Sequence, residues 1–265
     1  MSRKVSVIVP NFNYGRYVAE TLESVLAQTY DDYEIIFIDD GSTDNSLVVA
    51  QHYPVKVFSQ PNQGVSAARN NGAAYASGDY LLFLDSDDLL YPDTLAVMVK
   101  ALDLAPASVG YVYGQLQYFG EKNDIFPAGP FDPVRLSRAN YIQTSVMIRK
   151  TAFDAVNGFD RGFDLREDWE LFIRCWHHGY SGQFMERPLI RYRKHRPKQV
   201  VRSMSKRRKR LSDVKLVWLY PRFFWRKLLG SPLRLMYHYV FFFHKDMVGR
   251  LGPTGLVATS SEATK

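Results

Sequence analysis

The sequence predicts an α/β fold, a mainly parallel sheet with helices on both faces, from three observations. Apolar runs of strand length alternate with helical periodicity over the first hundred residues. The connections between them are short, as in strand–helix–strand units. Three of the strand-like runs end in polar clusters: Asn11-Phe12-Asn13, Asp39-Asp40-Gly41-Ser42 and Asp85-Ser86-Asp87-Asp88. In order, residues 5–9 form a buried-strand run halted by Pro10, and Val18, Leu22, Val25 and Leu26 follow at helical spacing. Residues 34–38 make a second strand, after which Ser42 or Thr43 caps a helix running toward Tyr53. A third strand spans 55–58. Ser66 caps a small-residue helix over 67–76, which Gly78 ends. Residues 80–84 are the fourth strand, and Pro92 opens a helix with Leu95, Met98, Val99 and Leu102 on one face.

Beyond residue 105 the pattern loosens. Residues 109–119 read as a strand, 121–133 as a Pro/Gly-bearing loop over a pocket, and 145–148 as a short strand. Asp168 precedes a helix whose Trp169, Phe172, Ile173 and Trp176 share a face, with Gly179 just past its end. Residues 189–195 return as a strand. The expected organisation is a catalytic domain over 1–200, split near 105 into two halves. A basic, aromatic helical extension over 201–252 and a flexible tail over 253–265 follow it. In open α/β sheets ligands bind at the carboxyl ends of the strands, so the three polar clusters should converge there.

Composition narrows the class. The 265 residues are 46% hydrophobic, enough for one substantial core. A single cysteine, Cys175, excludes an intramolecular disulfide and points to a reducing, cytoplasmic setting. The N-terminus reads as strand rather than leader, and no run approaches the ~18 apolar residues of a membrane-spanning helix. Residues 1–160 hold 11 Lys and Arg against 19 Asp and Glu, whereas residues 161–265 hold 23 against 8. The acidic half suits a metal site; the basic part suits anionic partners.

Asp85 and Asp87 alternate at a strand end, so both carboxylates point to one side, a donor pair for Mg²⁺ or Mn²⁺ on a diphosphate. A solvated turn is the plainer reading. Asp39 and Asp40 can accept from base imide and ribose hydroxyl groups, or belong to a turn that Ser42 and Thr43 finish as a cap. Arg69 can donate to phosphate as a fork or sit in a surface ion pair.

The run at residues 5–13, the Ile38-Asp39-Asp40-Gly41-Ser42-Thr43-Asp44 block, Gly64 through Arg69-Asn70, and residues 78–88 together resemble family 2 glycosyltransferases. Glu167-Asp168-Trp169 resembles the acceptor-side acidic motif of that family, and the resemblance reaches to about residue 195. It implies a GT-A-type Rossmann-like fold and inverting transfer of a sugar from a nucleotide-sugar donor, UDP-linked for preference. The acceptor would be a hydroxyl on a glycan or lipid-linked molecule, in surface polysaccharide synthesis. Pro10, Asn11, Asn13, Asp39, Asp40, Arg69, Asp85 and Ser86 would then hold the donor. Asp85, Asp87 and His195 would hold Mn²⁺ or Mg²⁺, although the cations beside His195 disfavour it as a ligand. Asp168 would be the base, with Glu167 the fallback.

A dinucleotide oxidoreductase fits poorly, because no Gly-x-Gly-x-x-Gly follows the first strand. A non-enzymatic basic module gripping polyanions through Lys206-Arg207-Arg208-Lys209-Arg210 is the alternative, but no specific nucleic-acid motif accompanies that run. The basic aromatic stretch over 211–243 suits an anionic membrane surface or packing against the core.

Overall fold

The architecture was taken from a computed structural model, which describes residues 3–121, 123–163, 165–194 and 206–224, the last with side chains from Arg210 onward. The chain divides into two units, Met1–Leu216 and Val217–Lys265. The span expected to be catalytic, residues 1–200, falls in the first. Most of the expected extension and tail, and His195, lie outside the described residues.

The first half follows the alternation of the sequence. Strands β1 (Val5–Asn11), β2 (Tyr33–Asp39), β3 (Lys56–Ser59) and β4 (Tyr80–Phe83) pair in parallel in the order β3-β2-β1-β4. Helices α1 (Gly15–Leu26), α2 (Ser46–Ala50) and α3 (Val65–Tyr75) connect them. Residue alternation splits the buried side chains between two faces. Val5, Val7, Val9, Ile35, Phe37, Leu82 and Leu84 pack with Val18, Leu22 and Val25 of α1 and with Leu95, Met98, Val99 and Leu102 of α4 (Thr94–Leu104). The other face, with Ile8 and Ile38, lies so close to Gly72 of α3 that a side chain there would clash.

The strand does not stop at Pro10. The ladder continues to Asn11↔Asp39, because the N–H that proline lacks would face β4, and β4 has already ended opposite Ile8. Leu26 is exposed rather than inward, at 36%. Neither Ser42 nor Thr43 caps α2: the helix starts four residues later behind Asn45, because Asn13 and Asp44 fold the intervening loop. Ser66 does not cap α3 either. Gly64 holds that position at φ 88°, and Ser66 lies inside the first turn.

The second half makes the sheet mixed. β5 (Leu89–Leu90) runs antiparallel to β9 (Ser181–Lys194), and β8 (Met147–Arg149) runs antiparallel to both β4 and β6 (Val109–Gly120). β6 and β9 pair in parallel along almost their whole lengths. The expected open loop over 121–133 contains β7 (Ile125–Phe126), folded back on β6. Helices α5 (Pro133–Arg138), α6 (Lys150–Ala155) and α7 (Glu167–His177) complete this half, and α8 (Lys206–Leu219) follows β9. On α7 the inward residues are Trp169, Phe172 and Ile173, whereas Trp176 is 37% exposed. No helix among the described residues is long and apolar enough to cross a membrane.

Candidate active site

The ends of β1 and β2 interlock before any ligand is considered. Asn11 Nδ2 donates to Asp39 Oδ1 (3.2 Å) and to Ser42 Oγ (3.0 Å), and the Ser42 amide donates to Asp39 Oδ2 (3.1 Å). Asn13, held at φ 60°, accepts the Thr43 amide at 2.7 Å and donates its own amide to Ser42 Oγ. Asp39 is therefore buried in the fabric of the loop while lying at the strand end. Asn11 Oδ1 is buried with no partner, an acceptor open to a ligand's N–H or O–H. Pro10 lies in β1 beside it.

Asp40 is engaged within its own loop. Its two oxygens accept the Gln63 and Gly64 amides (2.9 and 2.8 Å) and Gln60 Nε2 (2.8 Å), so it folds the approach to α3.

The β4 end carries the acidic cluster. Leu84 still bonds to Ile8, and the Asp88 amide then closes a turn onto the Asp85 carbonyl. Asp85 and Asp87 are half-buried, and Ser86 and Asp88 are buried. Burial pushes the Asp88 carboxyl well above the usual range, with the Asp87 and Asp85 charges adding to it; Arg193 opposes them. Asp88 Oδ2 has no partner. Burial and the same two charges push Tyr14 up to about 12, and burial with Asp88, Asp85 and Asp87 raises Tyr192. The strand end thus gathers three carboxylates whose charges are felt by the groups around them. Arg193 pins it from β9: its amide donates to Asp88 Oδ1 and its Nε to the Asp87 carbonyl, at 2.9 and 2.8 Å.

Arg69 is neither a surface residue nor a free fork. It is 3% exposed, donates through Nη2 to Asp85 (2.8 Å) and through Nη1 to Glu167 (2.9 Å), and lies over the Phe159 ring. It ties the acidic strand end to α7. Glu167 is thereby engaged by a guanidinium.

Asp168 is the second residue of α7, half-buried rather than at an exposed start. It is not the cap. That position belongs to Arg166, left-handed at φ 69° and without a side-chain capping bond. Burial, then the Glu167 charge, pushes Asp168 up to about 7, against the Trp169 amide and the Arg69 and Arg166 charges. Its Oδ1 accepts the Trp169 amide (2.7 Å) and its Oδ2 accepts Asn140 Nδ2 (2.9 Å). One donor on each oxygen fixes the carboxylate plane and leaves a lone pair on each.

The sequence reading missed Asn140, Tyr14, Tyr192 and Arg193. Asn140 lies in a stretch with no periodicity, Tyr14 stands in the turn before α1, and Tyr192 and Arg193 reach the β4 end from β9. Among the described residues no group of three His, Cys, Asp or Glu side chains is placed to ligate one ion. The donor set nevertheless suits a hard cation that takes one or two carboxylates and completes its shell with phosphate oxygens and water.

A β3-β2-β1-β4 parallel half with an acidic strand end, joined to a mixed half that presents a carboxylate at a helix start, defines the GT-A fold. Solved structures share it: S. aureus TarS residues 1–349 in complex with UDP-GlcNAc aligns with a TM-score of 0.68 at 20% identity, over 81% of this chain and 66% of that one. The mannosyltransferase PcManGT from Pyrobaculum calidifontis, in complex with GDP-Man and Mn²⁺, aligns with a TM-score of 0.61 at 20% identity, over 84% and 65%. The chain belongs to glycosyl transferase family 2, whose family model matches residues 6–159. EpsE of Bacillus subtilis, which carries a glycosyltransferase name, is 29% identical over 202 residues, 72% of this chain and 73% of its own length. The chain spans only 17% of the length of other curated relatives that it matches.

Proposed function

We propose that the protein is an inverting glycosyltransferase that moves a sugar from a nucleotide-sugar donor, UDP-linked for preference, to a hydroxyl of a glycan or lipid-linked acceptor in surface polysaccharide synthesis. The observation that carries this reading is the contrast at the start of α7. Glu167 is held by Arg69, while Asp168, with a proton affinity near neutrality and a fixed plane, lies next to it. A general base works best with that affinity.

The donor's base and ribose would meet the β1 and β2 ends, where Pro10, Asn11, Asn13 and Asp39 lie. Asp85 and Asp87 would hold Mn²⁺ or Mg²⁺, with Ser86 between them; such an ion neutralises the diphosphate as it leaves. Asp168 takes the proton of the acceptor hydroxyl, whose oxygen bonds to the anomeric carbon. The bond from that carbon to the donor phosphate oxygen breaks, and the nucleoside diphosphate departs. Attack opposite the leaving group inverts the centre. Arg69 keeps Asp85 and Glu167 apart in charge and close in space. Asp40 acts one step back, by shaping the 60–64 loop.

The GDP-Man and Mn²⁺ bound to PcManGT, and the UDP-GlcNAc bound to TarS, support a nucleotide-sugar donor and a divalent ion. Peripheral contact with an anionic membrane through the C-terminal segment stays part of the proposal, carried by sequence composition alone. The test is Asp168→Asn, assayed over UDP-sugars and GDP-mannose with Mn²⁺. Transfer, or donor hydrolysis with water as acceptor, should fall about 10²- to 10⁴-fold. UDP affinity should be unchanged. Near-normal turnover in this variant would remove Asp168 as the base.

A further inference from the structure

We infer that Asn140 is the positioning residue for the base, holding the Asp168 carboxylate in its proton-accepting orientation. The inference rests on the assignment of Asp168 above and extends it to a residue from a different segment.

The orientation of the Asn140 amide is settled by its surroundings. Its Oδ1 accepts the Ile142 amide at 3.2 Å, so the NH₂ end is the one that faces Asp168 Oδ2 at 2.9 Å. An N–H donor bonds more strongly to an ionised carboxylate than to a protonated one. The contact therefore favours the ionised base and fixes which edge it presents.

Asn140 is itself held. The segment before it is folded on Tyr141, whose hydroxyl accepts the Asp132 amide at 2.6 Å and whose ring lies under Arg135, 4.1 Å from the guanidinium carbon. Arg135 in turn donates to the Pro127 carbonyl, and Tyr113 donates to the Gly129 carbonyl. Trp169, next to the base, donates its indole N–H to the Leu136 carbonyl at 2.8 Å. The 127–142 segment and the start of α7 thus form one hydrogen-bonded piece, and Asn140 and Asp168 meet inside it. The charged groups acting on Asp168 are Glu167 and Arg166 from its own helix and Arg69 from α3. Asn140 is the neutral donor that approaches from the 127–142 side.

The prediction has a direction. A donor to the ionised form lowers the pH at which a carboxyl loses its proton. Removing it should move the acid limb of the rate profile to higher pH, while donor affinity stays as it was. Asn140→Asp keeps the shape and the acceptor for Ile142 but replaces the NH₂ by a second carboxyl oxygen. Asn140→Ala removes both. Three readouts on wild type, both variants and Asp168→Asn test this. They are the melting temperature, the pH profile of Mn²⁺-dependent donor hydrolysis over UDP-sugars and GDP-mannose, and side-chain carboxyl titration by ¹³C NMR. The NMR needs no substrate, and Asp168→Asn identifies the Asp168 signal.

The expected result is a rise in the Asp168 midpoint of about one pH unit or more in both variants, matched by the acid limb, with a rate loss of about fivefold or more near pH 7. UDP affinity should be unchanged. An unshifted Asp168 midpoint in folded Asn140→Asp would overturn the inference. So would a rate loss equal at every pH, the signature of a merely structural residue. If Asp168→Asn proves fully active, the base assignment falls and this inference with it. If Asp168→Asn is inactive while the Asn140 variants titrate as wild type, only the inference on Asn140 falls.

Discussion

Three carboxylates crowd the end of β4, and each is held differently. Asp85 receives Arg69, and Asp88 receives the Arg193 amide. Asp87 lends its backbone carbonyl to Arg193 and keeps a half-buried carboxylate whose charge is felt at Tyr14 and Tyr192. Like charges in one cluster repel, so neutralising Asp87 should relieve the other two. Asp87→Asn should abolish Mn²⁺-stimulated turnover and leave the melting temperature equal to or slightly above wild type. Undiminished Mn²⁺ stimulation would remove Asp87 from the metal site. The places of Asp85, Asp87 and Asp168 were legible in the sequence, because an apolar run ending in acids and an acid opening an amphipathic helix are local signals. What holds them was not legible. Arg69 reaches partners 16 and 98 residues away, and Asn140 reaches one 28 residues away. No spacing within one element encodes such contacts.

The elements of the first half were readable for a related reason. A strand buried on both faces shows as a continuous apolar run, so β1, β2 and β4 appeared almost to their ends. Pro10 misled because its consequence depends on which neighbour the missing N–H would face. Helix starts misled because backbone geometry at Gly64 and Arg166, and not a capping side chain, begins α3 and α7. One buried group inside the ladder went unread altogether. Glu34 of β2 accepts from Ser6 of β1 (2.6 Å), from the Ser77 amide and hydroxyl (2.7 and 2.8 Å) and from Lys56 of β3 (2.7 Å). Burial pulls its carboxyl up, but those donors outweigh it and bring it down to about 2. A carboxylate depressed in this way stabilises the fold above the unfolded value near 4, and the contribution is lost as pH falls toward 2. Glu34→Gln should therefore cost about 2 kcal/mol at pH 7, discounted for the exposed Lys56. Urea unfolding over pH should show the gap to wild type narrowing below about pH 4. A gap independent of pH would mean that shape, not charge, is what Glu34 contributes.

At the scale of the whole catalytic unit, the two halves meet at Arg69. Its guanidinium is buried between Asp85 of the first half and Glu167 of the second. Taking away one partner of a buried ionic group is far more damaging than the group's net worth, because the opposite charges are left behind. Arg69→Met should lower stability by about 3 kcal/mol, with Asp85 partly relieved by solvent. Mn²⁺ should restore part of the loss, since a cation at Asp85 replaces some of the missing charge. Thermal unfolding with and without Mn²⁺ measures both effects; an unchanged melting temperature would show that the bridge is incidental. The mixed character of the second half was the least legible feature at this scale. Parallel or antiparallel pairing of β5, β8 and β9 depends on which way each returns to the sheet, and the apolar pattern of a single strand carries no direction.

The long parallel ladder between β6 and β9 bears on how the chain reaches this state. It joins Val109–Gly120 to Ser181–Lys194, with the whole of residues 121–180 looped out between them. Ordering that loop must precede most of the reward, so non-local pairings of this kind form slowly. The β1–β2 and β2–β3 pairs close much shorter crossovers and should assemble first. A refolding chain would then regain affinity for nucleotide ahead of turnover, because Asn140 and Asp168 both sit inside the late-closing loop. The order of recovery would run from holding the donor to using it.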